Sequence, residues 1–363
     1  MPILDVPAPF VWGLAALHLV LWTTLLGNLW YLRRHGGRRA VDTLPTLSVL
    51  IPARNEAANL QRLLPSLLEQ DYPDLEIIVY DDGSEDDTWG VLQAHADPRL
   101  KALQGSGPPP GWVGKVHALY QATRHATGDR YLFLDADAAL TDAGALRRLA
   151  ERFAALPPTS VLTGLTRLQG HGRLLVSLVP NAILTGLPWP LVRRVGLPSL
   201  GALNGQCWMI EAAHYHAHEP HEHLPNEVLE DVQIGRYLKR EGLIPVLVDV
   251  QREVAIHMYA GFGAAWRGFR KNAYLILGGS PWAFVPLFIG FALTYVVAPL
   301  LSLGLLASVY GLKAVTDWRA GFPLWMALLA PLSYLLGNVL QLDSALHHWA
   351  GRVAWKGRTV GHP

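Results

Sequence analysis

Residues 130–137 read Arg130-Tyr131-Leu132-Phe133-Leu134-Asp135-Ala136-Asp137, a short apolar run that ends on two carboxylates. The run has the length and composition of a buried strand, and Asp-X-Asp closes it. The same design occurs upstream. Leu75 to Tyr80 forms a second apolar run and ends on Asp81-Asp82-Gly83-Ser84. A third, Thr46 to Ile51, precedes a segment, Asn55 to Gln70, in which Leu60, Leu63, Leu64, Leu67 and Leu68 recur at helical spacing. Further helices are expected from about Asp86 to Ala96 and from His117 to Thr127. Strands and helices that alternate at this pitch predict a parallel α/β sheet. In such sheets ligands bind beyond the carboxyl ends of the strands, where both acidic clusters fall.

The acids have a chemistry to match. Asp135 and Asp137 suit a hard divalent cation, Mg²⁺ or Mn²⁺, which in turn holds a diphosphate. Asp81 and Asp82 suit hydrogen bonds from a uracil N3–H or a ribose hydroxyl, and equally a turn in which Ser84 and Asp86 cap the next helix. Gly111-Trp112-Val113-Gly114-Lys115 opens the His117–Thr127 helix, so a helix N-terminus and Lys115 together favour an anion. Glu230-Asp231 starts another helix, Val232 to Arg240, where a carboxylate can take a proton from an attacking hydroxyl or simply favour the helix dipole. His214, His216, His218, His221 and His223 crowd one stretch with Glu219 and Glu222. Their spacing matches no helical metal pattern, so a solvated or membrane-facing loop is expected over zinc. His257 reads as a structural histidine or as a further cation or diphosphate contact. Gly105 to Pro110 must be a loop. Leu174 to Leu200, broken by four prolines, reads as an interfacial or acceptor-facing element or as a buried layer.

Outside this middle region the chain is apolar. Of its 363 residues 51% are hydrophobic and 16% charged, against about 25% charged in ordinary soluble domains. Disorder is excluded. A net charge of +1 provides no field for nucleic acid. The single cysteine, Cys207, cannot form an internal disulfide. Phe10 to Leu32 carries no Asp, Glu, Lys or Arg and is long enough for ~30 Å of hydrocarbon. A cleaved signal peptide fits poorly, because no basic segment precedes the run and no small-residue site follows. Pro281 to Leu312 and Ala320 to Leu342 are also uncharged, with Lys313 to Arg319 expected as the link of a hairpin. Arg33, Arg34, Arg38 and Arg39 follow the first span, Arg267, Arg270 and Lys271 precede the second, and Arg352, Lys356 and Arg358 follow the third. The positive-inside rule then predicts three spans, the N-terminus outside and the middle domain in the cytoplasm. The expected organisation is an anchor over 1–39, a cytoplasmic domain over 40–271, a hairpin over 272–345 and a tail over 346–363.

The motifs also match a family in order. Ser48-Val49-Leu50-Ile51-Pro52-Ala53-Arg54-Asn55-Glu56 resembles the opening of family 2 glycosyltransferases. Ile77 to Thr88 is similar to their nucleotide-binding strand and turn, Asp135-Ala136-Asp137 to their metal motif, and Leu229-Glu230-Asp231 to their base motif. The resemblance covers about residues 46–242. It implies a GT-A (Rossmann-like) domain with N- and C-terminal transmembrane helices, a UDP-sugar donor and an inverting mechanism. It further implies that Pro52, Ala53, Asn55, Glu56, Asp81, Asp82, Lys115, Asp135 and Glu230 line the nucleotide-sugar, that Asp135 and Asp137 hold the metal, and that Asp231 is the catalytic base. The Gly-Trp-Val-Gly-Lys segment is similar to that of membrane carotenoid and hopanoid-associated members. The Gln-X-X-Arg-Trp motif of processive synthases is absent, and Trp266-Arg267-Gly268-Phe269-Arg270-Lys271-Asn272 stands in its place. The expected activity is transfer of one sugar, glucose, to a lipophilic membrane acceptor such as a carotenoid. The expected location is the cell (inner) membrane, multi-pass. Three alternatives stand beside it: a polyprenyl-phosphate glycosyltransferase, a nucleotidyltransferase and a non-catalytic membrane scaffold.

Overall fold

The computed structural model describes residues 6–355 and 358–359; Lys356, one of the tail cations used in the topology argument, lies outside them. Its first element is a helix, α1 (Ala8–Arg34), with Arg33 and Arg34 in the last turn. Trp12, Leu19, Val20 and Leu26 stand exposed along it. A helix that is apolar all round, with every backbone group paired internally, is suited to hydrocarbon. The chain divides into two compact units: the described parts of Met1–Trp30, Gly170–Pro188 and Met258–Pro363 form one, and Tyr31–Gln169 with Trp189–His257 forms the other. Residues 170–188 and 258–271, which the sequence reading groups with the α/β domain, thus belong with the apolar helices.

The α/β unit runs β1 (Leu47–Ala53), α2 (Ala57–Leu68), β2 (Leu75–Asp81), α3 (Thr88–Gln93), β3 (Leu100–Gln104), α4 (Gly114–Arg124), β4 (Arg130–Leu134), β5 (Ala138–Leu140), α5 (Ala145–Ala154), β6 (Ser160–Leu165) and β7 (Arg167–Gln169). After residues 170–206 come β8 (Cys207–Glu211), a helix over Glu230–Arg240, β9 (Ile244–Asp249) and β10 (Val254–His257). Seven strands form one sheet in the order β3-β2-β1-β4-β8-β6-β9, and β5, β10 and β7 form a smaller one. Leu50 of β1 lies opposite Ile78 of β2 and Phe133 of β4, and all three are buried. This explains the near-continuous apolar runs, since a central strand covered on both faces has no polar side. β1 lies between β2 and β4, so the carboxyl ends of these two strands flank the crevice at the centre of the sheet.

The sheet is mixed, not parallel throughout as predicted. β8 runs antiparallel to both β4 and β6. No crossover helix returns the chain to the start of the sheet here. Residues 170–206 leave it, and β8 re-enters against its neighbours. Trp208 of β8 then stacks on Phe133 of β4 with ring centroids 3.8 Å apart, and Tyr215 and His221 pack around that pair.

Among the described residues three helices are long and apolar enough to cross a membrane: Ala8–Arg34, Pro281–Leu301 and Leu324–Trp349. The expected link at Lys313–Arg319 is instead the end of a helix, Leu303–Arg319. The second helix stops earlier than predicted because Ser302 is extended (φ −157°, ψ 148°) and its hydroxyl caps the new helix at Leu305 N. Lys313 and Asp317 are fully buried there, with the Lys313 ammonium donating to Asp317 and to Ser177 Oγ. Two opposite charges four residues apart on a helix neutralise each other, so the segment need not lie in water.

Candidate active site

Asp135 ends β4, and Lys115, the second residue of α4, reaches it: Lys115 Nζ donates to Asp135 Oδ1 at 2.7 Å. The same ammonium donates to Glu230 Oε1 at 2.8 Å, so one lysine clamps two acids that stand 95 residues apart in sequence. Burial alone would lower the Lys115 pKa. Asp135 and Glu230 outweigh it and raise the ammonium well above the ordinary lysine range. Val113 N donates to Pro225 O at 2.8 Å, which ties the glycine-bounded turn before α4 to the segment leading to Glu230.

Asp231 follows Glu230 on the first turn of its helix. Its Oδ2 accepts from Gly205 N at 2.9 Å and its Oδ1 from Val232 N at 2.8 Å. Space at Gly205 is tight: a Cβ there would stand 3.2 Å from Asp231 Oδ2 and 3.2 Å from Lys115 Nζ, so both side chains would have to give way slightly. The Asp231 carboxyl is pushed up to about 6, first by burial and then by the Glu230 charge, with Lys115 and the two backbone N–H groups pulling the other way. A carboxylate of that pKa is ionised at neutral pH yet more basic than an ordinary aspartate, as a general base requires.

At the end of β2, Asp81 Oδ1 accepts from Ser84 N at 3.0 Å and from the Ser84 hydroxyl. Asp81 Oδ2 is buried with no hydrogen-bond partner among the described residues, an acceptor left for a donor that the chain does not supply. Asp82 is buried 3.9 Å from His117 Nδ1, and its N–H donates to Ala53 O at 2.8 Å. Next to them opens a cavity of about 680 Å³ lined by Tyr80, Gln104, His117, Gln121 and the Gly105–Pro109 loop. A Cβ at Gly105 would meet the Tyr80 hydroxyl at 2.2 Å, so the loop approaches Tyr80 only as glycine.

The remaining residues of the expected donor site hold loops together. Pro52 and Ala53 end β1 beside Tyr80 and Asp81. Asn55 sits in the left-handed region (φ 52°), its N–H donating to Ser84 Oγ at 2.9 Å and its Oδ1 accepting from Glu85 N at 2.8 Å. Glu56 N donates to Thr88 Oγ1 at 2.8 Å. Ser84 and Asp86 therefore pin the β1–α2 and β2–α3 loops to each other. The expected cap by Ser84 is not made, but Asp86 Oδ1 accepts from Thr88 N, the first residue of α3, at 3.0 Å, while its Oδ2 accepts from Ala57 N at 3.2 Å.

The histidine stretch is not a solvated loop. It forms two short helices, Ala212–His218 and Pro220–His223, and His221 is fully buried with its Nδ1 2.7 Å from the Tyr215 hydroxyl. Among the described residues no group of three His, Cys, Asp or Glu side chains is placed to hold a metal ion. For a divalent cation the chain thus offers the Asp135–Asp137 pair, with the remaining coordination left to diphosphate oxygens and water. That division suits Mg²⁺ or Mn²⁺, and Asp135 already accepts a cation in the form of the Lys115 ammonium. His257 N donates to Asp137 O at 2.8 Å, so the backbone of β10 holds the turn that follows Asp135. Sequence reading missed the Asn204-Gly205-Gln206 turn, which holds Asp231 through Gly205 and accepts Asp135 N at Gln206 O, 3.3 Å away. The Asn-Gly dipeptide signals a turn, but nothing local to it points at residue 231.

A mixed sheet of this order, with paired acids at the ends of its central strands, defines the class. Residues 48–211 match the model described as Glycosyl transferase family 2, and the chain carries a family 2 glycosyltransferase domain with the GT-A fold; it is a glycosyltransferase. Among its relatives is the 4,4'-diaponeurosporenoate glycosyltransferase of Staphylococcus haemolyticus (strain JCSC1435), 26% identical over 266 residues, spanning 70% of this chain and 68% of that protein. The protein of the same name from Staphylococcus aureus (strain USA300) is 25% identical over 281 residues, 72% of this chain and 70% of that one. A mannosyltransferase of Pyrobaculum calidifontis, solved in complex with GDP-Man and Mn²⁺, shares the fold with a TM-score of 0.56 at 19% identity, covering 96% of this chain and 99% of that one.

Proposed function

We propose that this glycosyltransferase moves a single sugar, glucose from UDP-glucose, with inversion, to a lipophilic acceptor of the carotenoid class dissolved in the membrane in which it is anchored. The observation that carries the reading is the Lys115–Asp135–Glu230 cluster with Asp231 beside it. It brings together a cationic group, Asp135 of the carboxylate pair assigned to the metal, and a carboxyl of raised pKa. The names of the staphylococcal relatives support the acceptor class.

Asp81 and Asp82 receive the nucleoside, the free Asp81 Oδ2 taking the uracil N3–H. Asp135 and Asp137 would hold Mg²⁺ or Mn²⁺, which when bound would neutralise charge on the departing diphosphate. Lys115 leaves Asp135 for a phosphate oxygen and keeps its charge throughout, because the acids have raised its pKa. Asp231, fixed by Gly205 N–H, accepts the proton of the acceptor hydroxyl as that oxygen attacks the anomeric carbon. Glu230 orients Lys115.

A second reading follows from the relatives' names, which denote a carboxylate acceptor. A carboxylate attacks without losing a proton and needs no base. Transfer by Asp231→Asn to matched hydroxyl and carboxylate acceptors separates the two. Under the first reading the hydroxyl acceptor loses about 10²–10⁴-fold. A carboxylate enzyme would lose little with its own acceptor.

A further inference from the structure

Among the described residues of the α/β unit, Leu191 and Leu197 are the large hydrophobic side chains that stand exposed, at 43% and 58%; the others belong to the apolar-helix unit. Scattered single leucines on a surface carry no message. These two bracket Arg193 and Arg194, both also exposed, on one segment of twelve residues, Trp189 to Leu200. The inner side of that segment is fixed. Trp189 and Val192 are buried, and the Lys239 ammonium donates to Val192 O. The turn at Pro198–Leu200 delivers the chain to Gly201, where a Cβ would stand 2.4 Å from Gly235 O. Lys239 and Gly235 both belong to the helix that begins with Glu230 and Asp231. The segment therefore has a rigid back on the base-bearing helix and a front of leucine and arginine.

Chain connectivity tethers that front to the partner of α1. Asn28 Nδ2 donates to Leu184 O and to Leu187 O, both at 2.8 Å. Asn28 lies about 9 Å along α1 from its last residue, Arg34. Leu191 follows Leu187 by four residues and can lie at most about 14 Å from it. Arg33 and Arg34, also exposed, close α1, and the Trp189–Leu200 segment follows the α1-bonded Leu187 directly in sequence.

We infer that Trp189–Leu200 rests on the bilayer, Leu191 and Leu197 entering the acyl-chain boundary and Arg193 and Arg194 contacting anionic lipid phosphates. Leucine beside arginine on one face suits this boundary, where one phase takes the apolar side chains and the next the charge. The contact places the helix of Glu230 and Asp231 against the leaflet that holds the acceptor. The lipid contact itself is independent of the proposed function; its bearing on transfer rests on that reading.

The test uses the full chain in nanodiscs of phosphatidylglycerol and phosphatidylcholine. The one native cysteine is buried, so it does not compete for label. Leu191→Cys, Leu197→Cys and, as an exposed control, Gln93→Cys each carry a bimane. Brominated acyl chains are expected to quench the labels at 191 and 197 at least threefold more than the label at 93. Adding Arg193→Glu and Arg194→Glu is expected to remove most of that difference, with UDP binding unchanged as the check on folding. Equal quenching at all three positions overturns the inference. So does label–label contact between copies at 191 or 197 without lipid quenching, which would assign the face to a second copy of the chain. Quenching in a preparation that transfers no sugar to any carotenoid would uphold the lipid contact and sink the proposed acceptor.

Discussion

Under the proposed mechanism, Asp231 sets the pH dependence of transfer. Buried next to Glu230, it binds its proton up to a pH of about 6. As a base it must be ionised, so kcat/KM should fall about tenfold per pH unit below 6 and level off above it. His221 does not contribute to this limb, since burial lowers its pKa to about 3 and keeps it neutral. A profile whose limb stays near 6 in His221→Gln supports Asp231, and a limb that vanishes contradicts it. The same shift predicts a cost in stability. A carboxyl whose pKa is raised on folding favours the fold while protonated, below about 4, and loses that benefit as pH rises through 6. Asp231→Asn should therefore melt several degrees higher than the wild type at pH 7.5 and show no such gain at pH 4. Equal melting at both would mean that the burial does not strain the charge. Lys115→Met removes the cation shared by Asp135 and Glu230 and should cost about 10²–10³-fold in transfer, the range of a lost electrostatic stabiliser. At this scale the acids and Lys115 were legible, because each closes a strand or opens a helix. Gly205 was not, since its role exists only once residues 26 apart in sequence meet.

Among the elements, β1, β2 and β4 could be read from unbroken apolar runs, whereas β8 could not. Its direction depends on where residues 170–206 travel, which no local pattern records. The Leu303–Arg319 helix was hidden for a similar reason. Lys313 and Asp317 read as the charges of an exposed link, and only their pairing shows that they are buried. Breaking such a pair from one side leaves an uncompensated charge. Lys313→Met should cost about 3–5 kcal/mol of stability, and Lys313→Met with Asp317→Leu much less. Thermal unfolding in detergent measures both, and a double variant as unstable as the single would show that the pair is not the cause.

For the molecule as a whole, the packing of the apolar helices bears on topology. Leu14 packs with Ala298, Leu301 and Leu305, while His18 Nε2 lies 3.1 Å from Thr294 O, so α1 and Pro281–Leu301 run antiparallel. Tyr334 stacks on Tyr295 at 4.2 Å, and Trp349 meets Phe284, so Leu324–Trp349 is antiparallel to Pro281–Leu301 as well. The segment over 303–329 then makes no net crossing, and the arginines after α1 share a side with Pro281 and Trp349. Reporter fusions ending at Gly36 and Ser302 should report cytoplasm and exterior respectively; the reverse result would invert the topology. The central claim is that this fold transfers a sugar from a UDP donor through Asp231, and one comparison tests it most directly. Wild type and Asp231→Asn are reconstituted in bilayers with a hydroxylated carotenoid and UDP-glucose, and both UDP-glucose affinity and glucosylated product are measured. The account predicts unchanged affinity in the variant and product formation at least 10²-fold slower; near-wild-type transfer by Asp231→Asn, or no product from the wild type with any UDP-sugar, would contradict it.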